Sequence, residues 1–118
     1  TLPEDLGNLT SLQRFFASNN KLKVIPASIG KLINLKVLEL NRNLIEAIPV
    51  EIGKLMNLEE FYLWDNELSI IPDEIRSCSS LRILELRGIL FNDENQKRIH
   101  ELLPYTKIYF SPSCNCKN

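Results

Sequence analysis

Glu39, Tyr62 and Glu85 stand at equal intervals of 23 residues, an acid on either side of a phenol. On neighbouring strands about 4.8 Å apart, the two carboxylates would be about 9.6 Å from each other, a gap that overlaps the one used by inverting glycosidases. Such hydrolysis needs an enclosed site and two carboxyls with separated pKa values. Nothing in the sequence encloses this pair, so it reads as ordinary solvation of an open sheet, and the chain is read as no enzyme. Cys114-Asn115-Cys116, with His100 as a third ligand, offers a second chemistry. The cysteine spacing is shorter than the C-x₂₋₄-C of zinc sites, and no second pair follows. The pair fits a frayed tail with reactive thiols. Cys114, Cys116 and His100 therefore stand only as candidates for a metal shared between two molecules, and no cofactor is implied. A Gly-rich phosphate loop is absent, and the single His100 completes no Ser-His-Asp set.

A third group does contact chemistry. Phe16, Tyr62, Trp64 and Tyr109 occupy places where the apolar pattern described below requires no aromatic ring, and Arg87 lies among them in the repeat. Outward aromatics with an arginine nearby are what interface anchors look like. The alternative is packing along the sheet, which also stabilises strands. Glu39, Glu85 and Arg87 are the candidates for polar selection beside these anchors.

What positions these residues is a repeat. Pro3, Pro26, Pro49 and Pro72 are each 23 residues apart. The interval recurs in Leu12, Leu35, Leu58 and Leu81, in Phe15, Leu38, Phe61 and Leu84, and in Ala17, Leu40, Leu63 and Leu86. Asn20, Asn43 and Asn66 keep it, as do Leu22, Ile45 and Leu68. A fixed period of this size means a stacked solenoid, in which one repeat cannot bury its own faces and stacking makes the core.

Within one repeat, Leu35 to Leu40 predicts a short strand with Leu38 and Leu40 inward and Val37 and Glu39 outward. Asn43 falls where the chain leaves the sheet, and its amide can satisfy backbone groups that the turn would leave unpaired. The asparagines of successive repeats are expected to form a ladder. Ile48, Ile52, Leu55 and Leu58 supply the opposite wall. Pro49 and Gly53 argue against a regular helix there and predict extended and 3₁₀ turns. Every strand runs the same way after a crossover, so the sheet must be parallel. Cys78 falls on the ladder of Leu9, Leu32 and Leu55 and is expected to be a small buried apolar group.

The pattern L-x-x-L-x-L-x-x-N-x-L-x-x-L-P-x-x-I-x-x-L, clearest from Arg42 to Leu55, resembles the leucine-rich repeat in its short 23-residue class. The resemblance covers positions 2 to 91 and implies a right-handed α/β superhelix with a parallel concave sheet and a 3₁₀ or extended convex side. Ala17 departs from it at a strand Leu, and Ile89 replaces the Asn in the fourth repeat, so the repeat ends near Phe91.

After Phe91 the rhythm changes. Asn92 or Asp93 can cap a short helix that Pro104 stops, with Ile99, Leu102 and Leu103 on one face and His100 on the solvent side. Tyr105 to Phe110 repeats the strand spacing, with Ile108 and Phe110 inward. The expected organisation is about four repeats over 1–91, the first incomplete, a helix–strand cap over 92–110, and a tail over 111–118. Arg98 to Pro104 followed by Lys107 to Phe110 is similar to the ends of exported leucine-rich-repeat proteins of pathogenic spirochaetes. That likeness implies a surface or secreted protein that meets host partners.

Charge and hydropathy exclude other classes. Lys plus Arg number 14 against 15 Asp plus Glu, a net of −1 over 118 residues, with no basic block. The footprint of a nucleic-acid binder is missing. No apolar run reaches the about 18 residues of a membrane span. The chain opens in mid-repeat at Thr1-Leu2-Pro3, which reads as a processed or trimmed start with further repeats upstream. Taken as it stands, the strand of Phe15 and Phe16 would be an uncapped edge open to self-association.

Three rows of outward residues follow from the period: Phe16, Glu39, Tyr62, Glu85 and Tyr109; Arg14, Val37, Glu60, Ile83 and Lys107; Ser18, Asn41, Trp64 and Arg87. Five strands give a face of roughly 400–500 Å², against about 800 Å² per partner in a standard interface. The sequence thus predicts a non-catalytic interaction module whose concave face takes a protein or peptide. The other readings are a structural protein that assembles through its amino-terminal edge, and a metal-bridged oligomer.

Overall fold

The computed structural model describes residues 9–113. Five short strands lie in one sheet, in chain order: β1 (Arg14–Phe16), β2 (Val37–Glu39), β3 (Glu60–Tyr62), β4 (Ile83–Leu86) and β5 (Lys107–Phe110). Every pairing is parallel, and the register links Arg14, Val37, Glu60, Ile83 and Lys107 in one row and Phe16, Glu39, Tyr62, Glu85 and Tyr109 in the next. The rows read from the period are therefore the rows of the sheet.

The return limb is a 3₁₀ turn in each coil: Ala27–Lys31, Val50–Lys54 and Asp73–Ser77. Pro26, Pro49 and Pro72 precede these turns at φ −69°, −69° and −67°, angles the pyrrolidine ring fixes in advance. Their carbonyls accept from Ile29, Ile52 and Ile75 at 3.0, 3.1 and 3.1 Å, which tightens each turn and turns the isoleucine inward. The core is one apolar seam between this wall and the sheet. Leu38, Leu40, Phe61, Leu63, Leu84 and Leu86 come from the strand side, and Ile29, Leu32, Ile52, Leu55, Ile75 and Cys78 from the other. Burial raises the Cys78 thiol to about 11, so at neutral pH it stays protonated and donates to the Ile52 carbonyl at 3.2 Å.

The coils approach closely at Gly53. A Cβ added there would stand 2.8 Å from the Glu74 carbonyl oxygen of the next 3₁₀ turn, inside any real contact distance. Gly53→Ala is therefore expected to cost about 1–3 kcal/mol of stability, the usual cost of forcing packed elements apart, as read by urea unfolding. A loss below about 0.5 kcal/mol would mean that the turns slide freely past each other.

The asparagine ladder is present, and it works through the backbone. Asn43 Nδ2 donates to the carbonyls of Ala17 and Leu40 at 3.1 and 2.9 Å, and its Oδ1 accepts from Asn20 and Leu22 N–H at 2.9 and 3.1 Å. Asn66 repeats the arrangement one coil later. Asn20 departs from the expected ladder. It is exposed, and its Nδ2 donates only locally, to the Ser18 carbonyl at 2.9 Å. The backbone groups that Asn43 and Asn66 reach lie 21 to 26 residues earlier or within their own coil.

Helix α1 (Asp93–Leu102) stands between β4 and β5, where a further 3₁₀ turn would fall. Asn92 Oδ1 accepts from Asn95 N–H at 2.9 Å, so of the two capping candidates it is Asn92 that serves. Ile99 and Leu103 are buried against the last coil, and Phe91 meets Phe110 edge-on at 6.2 Å between ring centres. Among the described residues β1 pairs with β2 alone, with Phe15 half-buried and Phe16 exposed.

Candidate functional site

The rows of outward residues meet in a groove of about 470 Å³ on the sheet face, lined by Glu39, Asn41, Tyr62, Trp64, Glu85 and Arg87. Five of the seven residues singled out from sequence are thus brought together. Phe16 lines a neighbouring groove with Arg14, Val37, Glu39, Glu60 and Tyr62. Tyr109 lies one strand beyond Glu85, against the Arg87 guanidinium. Glu39 and Tyr62 belong to both grooves and join them into one surface.

Trp64 follows β3 and is 41% exposed, held at its backbone by Asn41 Oδ1, which accepts from Trp64 N–H at 2.7 Å. The Arg42 guanidinium covers its ring at 5.3 Å from the centroid. A cation over an exposed indole fixes one face of the ring and leaves the other for a ligand. Tyr62 donates its hydroxyl to Glu60 Oε1. That hydrogen bond, with partial burial and the carboxylates of Glu60, Glu39 and Glu85, raises the phenol to about 12. Tyr62 therefore stays neutral across the physiological range.

Glu85 does not stand in solvent as an open sheet would suggest. It is buried, and Arg87 holds both of its oxygens. Nε donates to Oε1 at 2.8 Å, Nη2 to Oε2 at 2.7 Å, and the Arg87 backbone N–H to Oε1 at 3.0 Å. The pairing raises the guanidinium pKa further above its ordinary value. Arg87 then lies 5.0 Å from the Tyr109 ring centroid, with Lys107 Nζ at 5.3 Å from the same ring. Three acceptor sites of Glu85 are taken by Arg87, so the carboxylate is committed to this pair and is not poised as the base that the hydrolytic pairing with Glu39 would require.

His100 is exposed on α1, and its ring meets Phe110 edge-on at 5.3 Å. Cys114 and Cys116 lie outside the described residues. Among the described residues no group of three His, Cys, Asp or Glu side chains is placed to hold a metal, and no helix is long and apolar enough to cross a membrane.

Sequence reasoning missed Asn41 and Arg42 as parts of the site. Asn41 stood in a row but carried no role. Arg42 was legible only by noticing that it lies one residue short of a full period before Trp64.

The family described as "Leucine-rich repeat region" matches residues 1–106. The chain belongs to the leucine-rich-repeat family. A leucine-rich-repeat protein of Leptospira interrogans is 37% identical over 93% of this chain and 28% of that one, with a TM-score of 0.92. An internalin of Listeria monocytogenes is 25% identical over 96% of this chain and 32% of its own, at 0.81. The plant peptide hormone receptor RGFR1, in complex with RGF2, is 32% identical over 75% of this chain and 15% of its own, at 0.71. The chain thus spans a third or less of the length of each of these solved relatives. No curated protein sequence matches it. Leucine-rich repeats generally mediate protein–protein interaction and are typically not catalytic.

Proposed function

We propose that this leucine-rich-repeat chain is a non-catalytic interaction module whose concave sheet face binds a peptide or an extended segment of a protein. The observation that carries this reading is the groove in which Trp64 and Tyr62 stand outward beside Asn41, Glu39 and the Glu85–Arg87 pair. These rings take no part in the apolar seam. They ride on strands whose inner faces are fully buried, so little ordering entropy is lost on binding. Phe16 and Tyr109 extend the same row toward either edge. The face is small against a standard interface, which favours an occupant of peptide width. The likeness to a receptor solved with its peptide hormone supports that choice.

By likeness to the Leptospira and Listeria proteins and to the plant receptor, we extend the proposal to a surface or secreted protein that meets host partners. A pull-down with the purified chain against extracellular-matrix and serum proteins supplies ligands for the test. Trp64→Ala with Tyr62→Ala is expected to weaken any ligand so found by about thirtyfold or more, the scale of two central aromatic anchors, with far-UV circular dichroism unchanged. Affinity that survives both substitutions would move the binding surface elsewhere.

A further inference from the structure

The carboxylates of the sheet face differ in how they are satisfied. Glu85 is held by Arg87 through three hydrogen bonds. Glu60 accepts from the Tyr62 hydroxyl and lies 3.7 Å from Arg82 Nη2, which is also 3.9 Å from Glu59. Glu39 is half-buried on β2, to one side of both, yet among the described residues its carboxylate accepts no hydrogen bond and joins no ion pair. Its neighbours in the row are aromatic on both sides, Phe16 on β1 and Tyr62 on β3, each one strand away. Glu39 also lines both grooves of the face.

From these placements we infer that Glu39 is the receptor for one cationic side chain, a lysine or arginine of the bound peptide. The inference rests on the concave-face reading above and adds the chemistry of its occupant. A carboxylate with unused acceptor sites, partly withdrawn from water, favours a charge-assisted partner. The rings of Phe16 and Tyr62 suit the other half of such a side chain, either its methylene stem or the face of a guanidinium. An anionic occupant would meet repulsion from Glu39, while the cations at the far end of the row are already committed: Arg87 to Glu85, and Arg87 and Lys107 to Tyr109. Arg14 lines the Phe16 groove in the adjacent row, beside Val37 and Glu60, and leaves the acceptor sites of Glu39 unoccupied.

The test is selection of a displayed random 12-residue peptide library on the purified full chain. Selected peptides are expected to share a Lys or Arg. Glu39→Gln should weaken each by about tenfold, the scale of one partly desolvated charge pair. Replacing the shared Arg by citrulline, or Lys by norleucine, should cause the same loss with no further effect in Glu39→Gln, the signature of a direct pair. Peptides that lack a shared cation, or that lose less than twofold on Glu39→Gln while still failing on Trp64→Ala with Tyr62→Ala, would overturn this inference and leave the binding face standing. Peptides indifferent to all three substitutions, or no binder at all, would overturn both.

Discussion

Asn66→Leu is expected to destabilise the chain by about 2–4 kcal/mol, although the new side chain has the same branched shape and suits an apolar seam. Asn66 is buried, and its amide serves three backbone groups. Nδ2 donates to the carbonyls of Leu40 and Leu63 at 2.9 and 3.0 Å, and Oδ1 accepts from Ile45 N–H at 3.1 Å. Leucine removes all three hydrogen bonds at once; the Leu40 carbonyl keeps Asn43 Nδ2 at 2.9 Å, while the Leu63 carbonyl and the Ile45 N–H lose the amide that serves them. Each buried backbone group left unpaired costs about 1–3 kcal/mol, and the apolar gain of one leucine, about 2 kcal/mol at most, offsets only part of that. The control is Asn20→Leu, at the same place in the repeat but exposed. It should change stability by less than about 1 kcal/mol. Urea midpoints of the two variants, measured together, decide the matter. Equal losses would mean that the ladder owes its worth to position in the repeat and not to burial.

The second large effect lies on the seam. Phe61 is fully buried at the centre of β3, and its counterparts on the flanking strands are Leu38 and Leu84. Phe61→Ala should cost about 3–5 kcal/mol through lost transfer energy and the cavity left behind. Phe61→Leu should cost about 1 kcal/mol, because the same column already accepts leucine on either side. Thermal or urea unfolding of both variants gives the comparison. A loss under about 2 kcal/mol for the alanine would show that the coils collapse onto the gap, against the close approach seen at Gly53.

Much of the scaffold was legible because the period and the physics agree at every level. Pro26, Pro49 and Pro72 foretold three equivalent turns, and Pro49 with Gly53 argued against a regular helix there, whereas the close approach of the next coil at Gly53 was not legible. The outward rows followed once strand alternation was combined with the interval. Other features depend on choices that no interval encodes. Glu85 looked like a solvated acid because its row neighbours are outward, and its burial comes from the rotamer by which Arg87 folds back over it. Asn20 looked like its equivalents, yet it is exposed and its amide donates to the nearby Ser18 carbonyl.

The backbone at Asn19, Arg42, Asp65 and Gly88 is left-handed, with φ of 63°, 57°, 59° and 80°. Asn, Asp and Gly are the residues that tolerate this region, so a column carrying three of them was a signal available in the sequence. Arg42 hid the pattern, being a poor residue for that conformation, and it is also the side chain that covers Trp64.

The registers from β1 to β4 advance by one constant step, while the step to β5 is one residue longer, where α1 replaces the usual turn. Length in this molecule is therefore quantised. By this register, whole coils spliced in or out ahead of α1 would preserve every neighbour relation, whereas one residue inserted inside a strand would flip the side chains beyond it from seam to surface. The stretch of chain around α1 has already absorbed one such odd residue, which makes it the place where a new loop would be tolerated first.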